Sequence, residues 1–432
     1  MTSFADITTI GVGGEIARFV EPTTRVGMIE AIEDADERGL PLCVIGGGSN
    51  LLVADEPFDG IVVRDARRQI TVPDEAAPVE GGDTTVHVNA EAGCNWDDFV
   101  AFTVDLGLEG VEGLSGIPGT VGASVVQNIG AYGQEVGTAV ESVEVWDRLD
   151  KQSKELTAAE LEFGYRMSVL KKSMYVAPAT PDAQFFPTPR YVVLSVTFAL
   201  KHSATGTVGY GQLAKALGVE VGDRMSTQEI RNTVLKVRAS KGMLEDATRY
   251  CDPAMRETKR EDQICMALCA QSKAAQSTQA EQAGQTGSIQ TEAGQSEGTQ
   301  PGTYRSERSL PESDFDRHSC GSFFMNPILS AEQAASLPED APRFDAMLPD
   351  GTPGIKTSAA WLIDHAGLHK GYRLEPQAKA GLSTLHTLAL TNRGGATAAD
   401  IAALAKAVQS QVEERFGVRL IPEPVVIGID LR

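Results

Sequence analysis

Three glycines in a row follow an apolar run near the N-terminus, in the stretch VIGGGSNLLV. Gly46, Gly47 and Gly48 leave several backbone N–H groups uncovered by side chains, and Ser49 and Asn50 add further donors. Such a nest of donors suits a phosphate group, whereas a tight turn between strands needs only one or two glycines. We therefore favour phosphate binding over a simple turn. The stretch is not a Walker loop, because no Gly-Lys-Ser/Thr follows.

A second glycine-rich stretch, GIPGTVGASVVQNIGAYGQE, carries no charge until its last residue. Gly116, Gly119 and Gly122 recur at every third position, which lets the chain pass close to a large flat or extended ligand. Gln127 and Asn128 each donate and accept hydrogen bonds, and they suit the edge of a heterocycle. From the residues alone two interpretations stay open: backbone packed against a ligand, or a buried irregular loop.

Three charged or hydroxyl residues elsewhere could act on a substrate. Arg166 in FGYRMS has a planar cation that suits a carboxylate, and Ser322 in CGSFF has a hydroxyl proton. Glu423 in IPEPVV is a carboxylate whose flanking prolines restrict its backbone. Taken singly, a surface ion pair explains Arg166 better than catalysis does, a turn or helix cap explains Ser322 better, and a solvent-facing loop is a natural interpretation of Glu423. The hydroxyl of Ser322 is a poor acid in water, so a proton donor there needs polarising neighbours.

The charge of the chain argues against two classes of partner. Its 432 residues carry a formal net charge of −21, so we expect neither nucleic acid nor an anionic membrane surface as a partner. The sequence shows no basic and apolar leader and no run of about 18 apolar residues, which predicts a soluble, cytoplasmic protein. His365 and His369 lie four residues apart at a predicted helix end, and we expect no metal site. The cysteines are scattered and are expected to be reduced thiols.

Strand and helix patterns alternate in the N-terminal half. The segments IARFV, RVGMIEAIEDADERG, LPLCVIGGGSNLLVAD and GIVVRD indicate strand, helix, strand, glycine turn and strand. The segment TTVHVNAEAGCNWDDFVAFTVDLGL indicates a further strand and helix, and AVESVEVWD and RYVVLSVTFAL indicate later strands. This order predicts an α+β unit and not a strictly parallel, doubly wound sheet.

The composition changes near residues 245 to 317. The segment QSTQAEQAGQTGSIQTEAGQSEGTQPG contains a single isoleucine and no other large apolar residue, so it cannot bury enough apolar surface to offset its conformational entropy. We interpret it as a disordered insertion with no catalytic role. Beyond it, the pattern predicts a helix in KTSAAWLIDHAGL, a strand over TLHTLALTN, a long helix capped by Gly417 and a last strand in IPEPVVIGI.

Six separated motifs occur in collinear order: GGGSNLLV, IPGTVGASVVQNIGAYG, FGYRMS, GSFFMNP, AAWLID and PEPVV. Together they resemble the UDP-N-acetylenolpyruvoylglucosamine reductases, flavoenzymes that complete UDP-N-acetylmuramate for peptidoglycan. The resemblance implies an α+β fold with a two-lobed FAD-binding domain of the vanillyl-alcohol-oxidase type and a smaller α+β substrate domain. It implies lobes at 1–64 (with a last strand at 424–432) and 65–243, an insertion at 244–317 and a substrate domain at 318–423.

The resemblance also implies the cofactor. Related oxidases often tether flavin through His or Cys, but no histidine lies beside this glycine loop, so we expect non-covalent FAD. NADPH is the implied electron donor. The residues that match the family's FAD-contacting positions are Gly46, Gly47, Gly48, Ser49, Asn50, Leu51, Pro118, Gly119, Gly122, Ala123, Gln127, Asn128, Gly130 and Tyr132.

In the family's reaction, hydride passes from NADPH to flavin and then to the enolpyruvyl double bond of UDP-N-acetylglucosamine enolpyruvate. By resemblance, Arg166 and Glu423 stabilise the resulting enolate and Ser322 protonates it. The implied substrate-binding residues, for a small molecule bound to a protein that we expect to be a monomer, are Tyr210, Arg238, Lys241 and Asn326. From sequence alone a solvated helix end fits Arg238 and Lys241 equally well. Met325 departs from the family pattern, since many relatives have a basic residue there.

Two other functions stay open at this stage. An FAD-linked oxidase of the same fold would keep both glycine stretches, but not Arg166, Ser322 and Glu423 together. A non-catalytic protein that binds a nucleotide sugar or a dinucleotide is the other alternative. The colour of the purified protein and substrate-dependent oxidation of NADPH distinguish the three functions.

Overall fold

The computed structural model describes residues 2–73, 84–175, 187–244, 312–348 and 350–431. The Gln-rich core of the predicted insertion lies outside the described residues. The α-helices are α1 Phe4–Ile7, α2 Arg25–Glu37, α3 Trp96–Asp105, α4 Val121–Gln127, α5 Val169–Lys172, α6 Gly211–Leu217, α7 Thr227–Ser240, α8 Ala331–Ala335, α9 Ala359–His365 and α10 Ala398–Phe416.

The strands confirm the mixed helix and strand content expected of an α+β fold. In chain order they are β1 Ile16–Val20, β2 Leu42–Ile45, β3 Leu51–Val53, β4 Phe58–Arg64, β5 Ile70–Thr71, β6 Thr85–Glu91, β7 Leu108–Glu109, β8 Gly130–Ala131, β9 Gln134–Glu135, β10 Val140–Asp147, β11 Gln152–Thr157, β12 Tyr191–His202, β13 Thr205–Thr207, β14 Arg224–Ser226, β15 Ile328–Leu329, β16 Phe344–Met347, β17 Pro353–Lys356, β18 Ala380–Leu382, β19 Leu390–Asn392 and β20 Val425–Ile427.

The N-terminal residues form a small parallel sheet in the order β1-β4-β2. Helix α2 begins where the Thr24 side chain accepts a hydrogen bond from the Gly27 N–H group. Its Met28 and Ile32 side chains are fully buried against β2 and β4, which is the apolar stripe that the sequence pattern predicts. Strand β3 leaves this sheet and pairs in parallel with β20, so the last strand of the chain packs beside the first glycine loop.

The second sheet has the order β11-β10-β12-β6-β5, and every neighbouring pair in it is antiparallel. Helix α3 covers it through buried aromatic side chains, with the rings of Phe99 and Phe198 centred 4.4 Å apart and Trp96 beside them. This packing fixes the N-terminal side of the second glycine-rich stretch, because the backbone N–H group of Trp96 donates to the Gly119 carbonyl at 3.0 Å.

The C-terminal part packs α9 and α10 around two small antiparallel sheets, β15-β17-β16 and β18-β19. Helix α10 has a capping box between Thr397 and Asp400 and ends at Gly417, whose φ of 66° is the left-handed conformation that glycine favours. This confirms the predicted C-cap. Within the described residues, no helix is long and apolar enough to cross a membrane.

Two sequence predictions in this region were wrong. The strand expected over TLHTLALTN is restricted to Leu390–Asn392, because the Ser383 hydroxyl accepts hydrogen bonds from the N–H groups of Leu385 and His386 and bends the chain. The insertion was also drawn too wide at both ends. Leu244 is buried, and Asp316 is buried and hydrogen-bonded to Thr384, so both belong to the packed structure.

Candidate active site

A cavity of about 400 Å³ lies where these three parts meet. One side consists of residues 46–51 and of cavity-lining residues from 117–132, and we call it the neutral wall because it contains no charged side chain. Elsewhere the lining includes charged and polar residues that we call the charged wall: Arg166, Arg238, Lys241, Ser322, His386 and Glu423. Residues more than 250 positions apart in the chain therefore open onto one space.

The first glycine loop presents bare backbone to the cavity. Within the described part of the chain, the N–H groups of residues 46–50 donate to no protein acceptor. The Ser49 hydroxyl donates to the Pro118 carbonyl at 3.0 Å and so ties the two glycine stretches together. A Cβ atom on Gly46 would lie 2.7 Å from the Thr120 hydroxyl oxygen, so this close approach requires glycine. The loop has the free donors that a diphosphate needs.

The second glycine-rich stretch forms a bend followed by α4. The Thr120 side chain caps this helix, and Asn128 ends it in a left-handed conformation with φ of 45°. The Asn128 side chain donates to the Gly164 carbonyl at 2.8 Å and accepts from the Gly137 N–H group at 3.0 Å. Asn128 is therefore buried in the turn and does not line the cavity, unlike its sequence neighbour Gln127.

Two glycines of this stretch lie behind the neutral wall and do not line the cavity. A Cβ atom on Gly122 would lie 2.7 Å from the Ala92 Cβ atom, so Gly122 lets α4 approach the end of β6. Gly119 has φ of 126°, a conformation that glycine favours, and like Gly122 it does not line the cavity. The other residues predicted to contact FAD all line it: Gly46, Gly47, Gly48, Ser49, Asn50, Leu51, Pro118, Ala123, Gln127, Gly130 and Tyr132.

A buried ion pair supports the neutral wall from behind. The Asp97 carboxylate accepts from Arg231 Nη1 at 2.7 Å and from Arg231 Nη2 at 2.9 Å, and the two side chains are 3% and 2% exposed. The same carboxylate accepts from the Gly116 N–H group at 2.6 Å. Asp97 therefore joins α3, α7 and the start of the glycine-rich stretch at one point.

On the charged wall, Arg166 and Glu423 form an ion pair. Arg166 Nε donates to Glu423 Oε1 at 2.9 Å, and Arg166 Nη2 donates to the Gly130 carbonyl at 2.6 Å. The backbone of Arg166 has φ of 54°, which is uncommon for a residue with a side chain. Gln127 Nε2 donates to the same Glu423 oxygen at 3.3 Å. Gln127 belongs to the neutral wall and thus also contacts one of the catalytic candidates, Glu423.

Lys171 is a partner of this pair that the sequence did not suggest. Its Nζ atom donates to Gln127 Oε1 at 2.6 Å and to the Glu423 carbonyl at 3.3 Å. Burial lowers the pKa of Lys171 to about 8, and the nearby Glu423 charge opposes that shift. The only signal in the sequence was its position five residues after Arg166 on a short amphipathic helix, which is too weak to indicate a site.

Ser322 and Glu423 are brought together by a short antiparallel contact. The Glu423 N–H group donates to the Phe323 carbonyl at 2.9 Å, and the Met325 N–H group donates to the Ile421 carbonyl at 3.0 Å. The Ser322 hydroxyl lies 3.2 Å from His386 Nε2. This contact supplies the polarising neighbour that a serine proton donor needs, and the sequence gave no sign of which residue it is.

Cations gather on the same side as Ser322. Arg238 is buried, donates to the Gly116 carbonyl at 3.0 Å and hydrogen-bonds Tyr132, so it is not a solvated helix end. Lys241 Nζ donates to Gln212 Oε1 at 2.8 Å, and burial followed by the charges of Arg238 and Lys370 lowers the pKa of Lys241. These cations are available to an anionic ligand within an acidic protein.

The two remaining predicted substrate residues have different surroundings. Tyr210 is half exposed at the cavity mouth, and its ring is centred 6.0 Å from that of Tyr132 in an edge-on contact. Asn326 does not line the cavity, because its Oδ1 atom accepts from the Ala359 N–H group and caps the start of α9. It also hydrogen-bonds Tyr165, the neighbour of Arg166.

The neutral wall fits a flavin dinucleotide in its free N–H donors, its bare glycine backbone and its lack of charge. A family model described as an FAD binding domain matches residues 16–152, which include both glycine stretches. The fold and this site define the class: an FAD-binding oxidoreductase with a two-lobed flavin domain. The C-terminal part matches a second model, described as the C-terminal domain of UDP-N-acetylenolpyruvoylglucosamine reductase, over residues 313–427.

Whole-chain relatives define the family. The UDP-N-acetylenolpyruvoylglucosamine reductase of Thermobifida fusca is 39% identical over 99% of this chain and 97% of the relative. That of Cutibacterium acnes is 39% identical over 98% of this chain and 89% of the relative. The solved structure of the Thermus caldophilus reductase has the same fold, with a TM-score of 0.52, 24% identity and coverage of 99% of this chain and 97% of that one. The chain belongs to the UDP-N-acetylenolpyruvoylglucosamine reductase family, flavin oxidoreductases of peptidoglycan synthesis.

Proposed function

We propose that this protein reduces UDP-N-acetylglucosamine enolpyruvate to UDP-N-acetylmuramate with NADPH as electron donor and non-covalent FAD, acting as a cytoplasmic monomer. The observation that carries the proposal is that Arg166, Glu423 and Ser322 line the same cavity as a wall of bare glycine backbone. An oxidase of the same fold has no need of that trio.

We assign the flavin to the neutral wall, with its pyrophosphate on the N–H groups of residues 46–50 and its ring system along residues 117–132. FAD supplies the hydride chemistry when bound. The described cysteines, Cys43, Cys94 and Cys320, are buried and form no disulfide bond with one another. A non-covalent cofactor is consistent with this wall of glycines.

Arg166 is assigned to the substrate carboxylate. Its Nε and Nη2 groups donate to Glu423 and to the Gly130 carbonyl, and we assign the Nη1 group to the ligand. A fixed guanidinium stabilises the charge that develops when the enolpyruvyl group becomes an enolate, because the donor pays no reorganisation cost at that moment. Glu423 holds this cation in place and, with Arg166, sets the position of the enolate.

Ser322 is assigned as the proton donor to the enolate carbon. The assignment is supported by the hydrogen bond between the adjacent Phe323 and Glu423, because Glu423 also pairs with Arg166. Lys241 and Tyr210 are assigned to the diphosphate at the cavity mouth, with Arg238 behind them as a buried charge and with Asn326 positioning Tyr165 and α9. The role of Asn326 is thus indirect in this proposal.

We further propose a division of labour among three parts of the chain. Residues 1–64 with 424–432 and residues 65–243 form the two flavin-binding lobes, and residues 318–423 bind the substrate. The hydrogen bonds between Asp316 and Thr384 support a start of the substrate domain a few residues before 318.

The test measures NADPH oxidation by the purified holoenzyme, with and without oxygen. We expect a yellow protein whose oxidation of NADPH depends strictly on UDP-N-acetylglucosamine enolpyruvate and consumes one NADPH per UDP-N-acetylmuramate formed. Oxygen consumption without the enolpyruvyl substrate would instead identify an oxidase. A colourless protein that binds the nucleotide sugar without turnover would contradict catalysis altogether.

A further inference from the structure

His386 lies directly against the hydroxyl group of Ser322. Its Nε2 atom is 3.2 Å from the Ser322 oxygen, and both residues line the cavity. The side chain of His386 is partly buried, and among the described residues no carboxylate hydrogen-bonds to its ring. This is therefore a serine–histidine pair without the acidic third member of a hydrolase triad.

The geometry of the pair is fixed by the turn that interrupts the predicted strand. The Ser383 hydroxyl accepts from the N–H groups of Leu385 and His386, each at 3.0 Å. The Phe323 N–H group donates to the Leu388 carbonyl at 2.8 Å, which joins the Ser322 segment to the same turn. The two side chains are therefore held by one small hydrogen-bonded unit and do not meet by chance on the surface.

Three cations act on the ring of His386. Arg238 and Lys241 belong to the end of α7, and Lys370 follows α9. Burial and these three cations lower the pKa of His386 to about 4, so the imidazole is neutral at physiological pH. A neutral ring has one N–H group and one free nitrogen, which is the form that can pass a proton from one nitrogen to the other.

We infer that His386 is a catalytic residue that donates its Nε2–H group to the Ser322 oxygen and returns a proton to it in each turnover. This inference rests on the proposed function, in which Ser322 gives its proton to the enolate carbon. The O–H bond of Ser322 then breaks as the new C–H bond forms. The serine oxygen takes the Nε2 proton of His386, and Nδ1 takes a proton from solvent, so the ring ends neutral as its Nδ1–H tautomer. Loss of the Nδ1 proton to solvent and uptake of one at Nε2 restore the Nε2–H form before the next turnover.

The direction of the hydrogen bond follows from the role of the serine. If the Ser322 hydroxyl donated to His386, its proton would point at the ring and could not at the same time reach the substrate. With Nε2–H as donor, the serine proton is free to face the enolate, and negative charge that develops on the serine oxygen is stabilised. The surrounding cations disfavour a doubly protonated ring, so a proton gained at Nδ1 promotes release at Nε2.

The experiment uses holoenzyme with His386→Ala or His386→Gln and measures the two half-reactions separately by anaerobic stopped flow. Reduction of the flavin by NADPH is expected to match the wild type. Reoxidation by the enolpyruvyl substrate is expected to slow by about 10²-fold in His386→Ala, the usual contribution of an acid or base. His386→Gln keeps an N–H donor but cannot relay a proton, so we expect it to be slow as well. His202→Gln, exposed at the end of β12, is the matched control.

Two further measurements distinguish a catalytic role of His386 from a purely structural one. In the Ser322→Ala background, adding His386→Ala is expected to slow reoxidation by less than twofold, because the histidine acts through the serine. Nitrogen NMR of labelled histidine is expected to show a signal from a neutral ring protonated at Nε2 at pH 6, and this signal is expected to be absent in His386→Gln. The inference would be overturned if the effects of the two substitutions on the reoxidation rate were additive in the double variant, or if the resting ring were protonated at Nδ1.

The outcomes also separate this inference from the proposed function. A wild-type holoenzyme that is not reoxidised by the enolpyruvyl substrate would overturn both. A wild type that turns over, together with His386 variants that reoxidise at the wild-type rate, would overturn the role of His386 and leave the proposed function in place.

Discussion

The two walls of the cavity are built in opposite ways. The neutral wall comes from two contiguous stretches whose glycines leave backbone exposed, and its contribution is mainly shape and N–H donors. The charged wall is assembled from side chains at the end of α7 and on four loops, and residues far apart in the chain touch there only because the fold brings them together. A site that works by shape can be encoded locally, whereas a site that works by charge depends on tertiary packing.

This contrast implies that the walls can be damaged independently. A change on the charged wall is expected to leave flavin bound and to impair the reaction of the enolpyruvyl substrate. A change behind the neutral wall is expected to weaken flavin binding itself. The following variants test this separation.

The largest effect is expected from Arg166→Met. It removes the cation aimed by Glu423 and leaves that carboxylate without its ion pair. Turnover is expected to fall by about 10²- to 10³-fold, as when one fixed donor to a developing anion is lost. The FAD content of the purified variant is expected to match the wild type, and Arg419→Met, an exposed ion-pair arginine, is the control. Loss of flavin from the Arg166 variant would contradict the separation of the walls.

Asp97→Asn tests the support behind the neutral wall. It leaves the buried Arg231 guanidinium without its full counter-charge, which we expect to lower the free energy of unfolding by about 3 kcal/mol. Because Asp97 also holds the Gly116 N–H group, flavin is expected to be lost more readily during gel filtration. Urea unfolding and flavin absorbance measure the two effects. Asp105→Asn, at the exposed end of α3, provides the comparison, and equal stability of the two variants would refute this role.

Lys171→Met tests the link between the walls. Without Nζ, the Gln127 amide loses the partner that orients it toward Glu423. We expect turnover to fall by about tenfold to 10²-fold through misplacement of the ion pair, with KM for NADPH unchanged. The adjacent Lys172 is exposed and pairs with Glu162, so Lys172→Met is a closely matched control. If both lysine variants lose activity equally, the positioning role of Lys171 is wrong.

The smallest effect is expected from Lys241→Gln. The change removes one cation at the cavity mouth, and a charge-assisted hydrogen bond to a phosphate contributes about 1.5 kcal/mol. KM for the UDP-sugar is therefore expected to rise about tenfold with little change in kcat, and the difference is expected to shrink at high salt. Lys236→Gln on the exposed face of α7 serves as the control. An unchanged KM would remove Lys241 from the diphosphate site.

The sequence was informative where a local pattern was sufficient. The strand and helix pattern of the first lobe, the Gly417 cap and both glycine stretches followed from residue types and spacing, since each depends on neighbours in the chain. Lys171 and His386 could not be predicted this way, because their roles rest on contacts with Gln127 and Ser322 that no spacing encodes. The shortened strand before Leu390 was missed because a serine-centred turn overrode an apolar pattern.

Asn128 and Asn326 show the limit of transfer by resemblance. Both match family motifs, yet their side chains hold a turn and cap a helix outside the lining of the cavity. Motif membership therefore identifies a segment that shapes the site, and the contacts decide which of its residues face a ligand.

The most direct test of the two-wall account is a sequential-mixing experiment on Ser322→Ala. The variant is reduced anaerobically with one equivalent of NADPH and then mixed with UDP-N-acetylglucosamine enolpyruvate, while flavin absorbance is followed. The account predicts that absorbance bleaches at the wild-type rate and then recovers at least about 10²-fold more slowly than in the wild type. Recovery at the wild-type rate, or failure of the flavin to bind or to bleach, would contradict it.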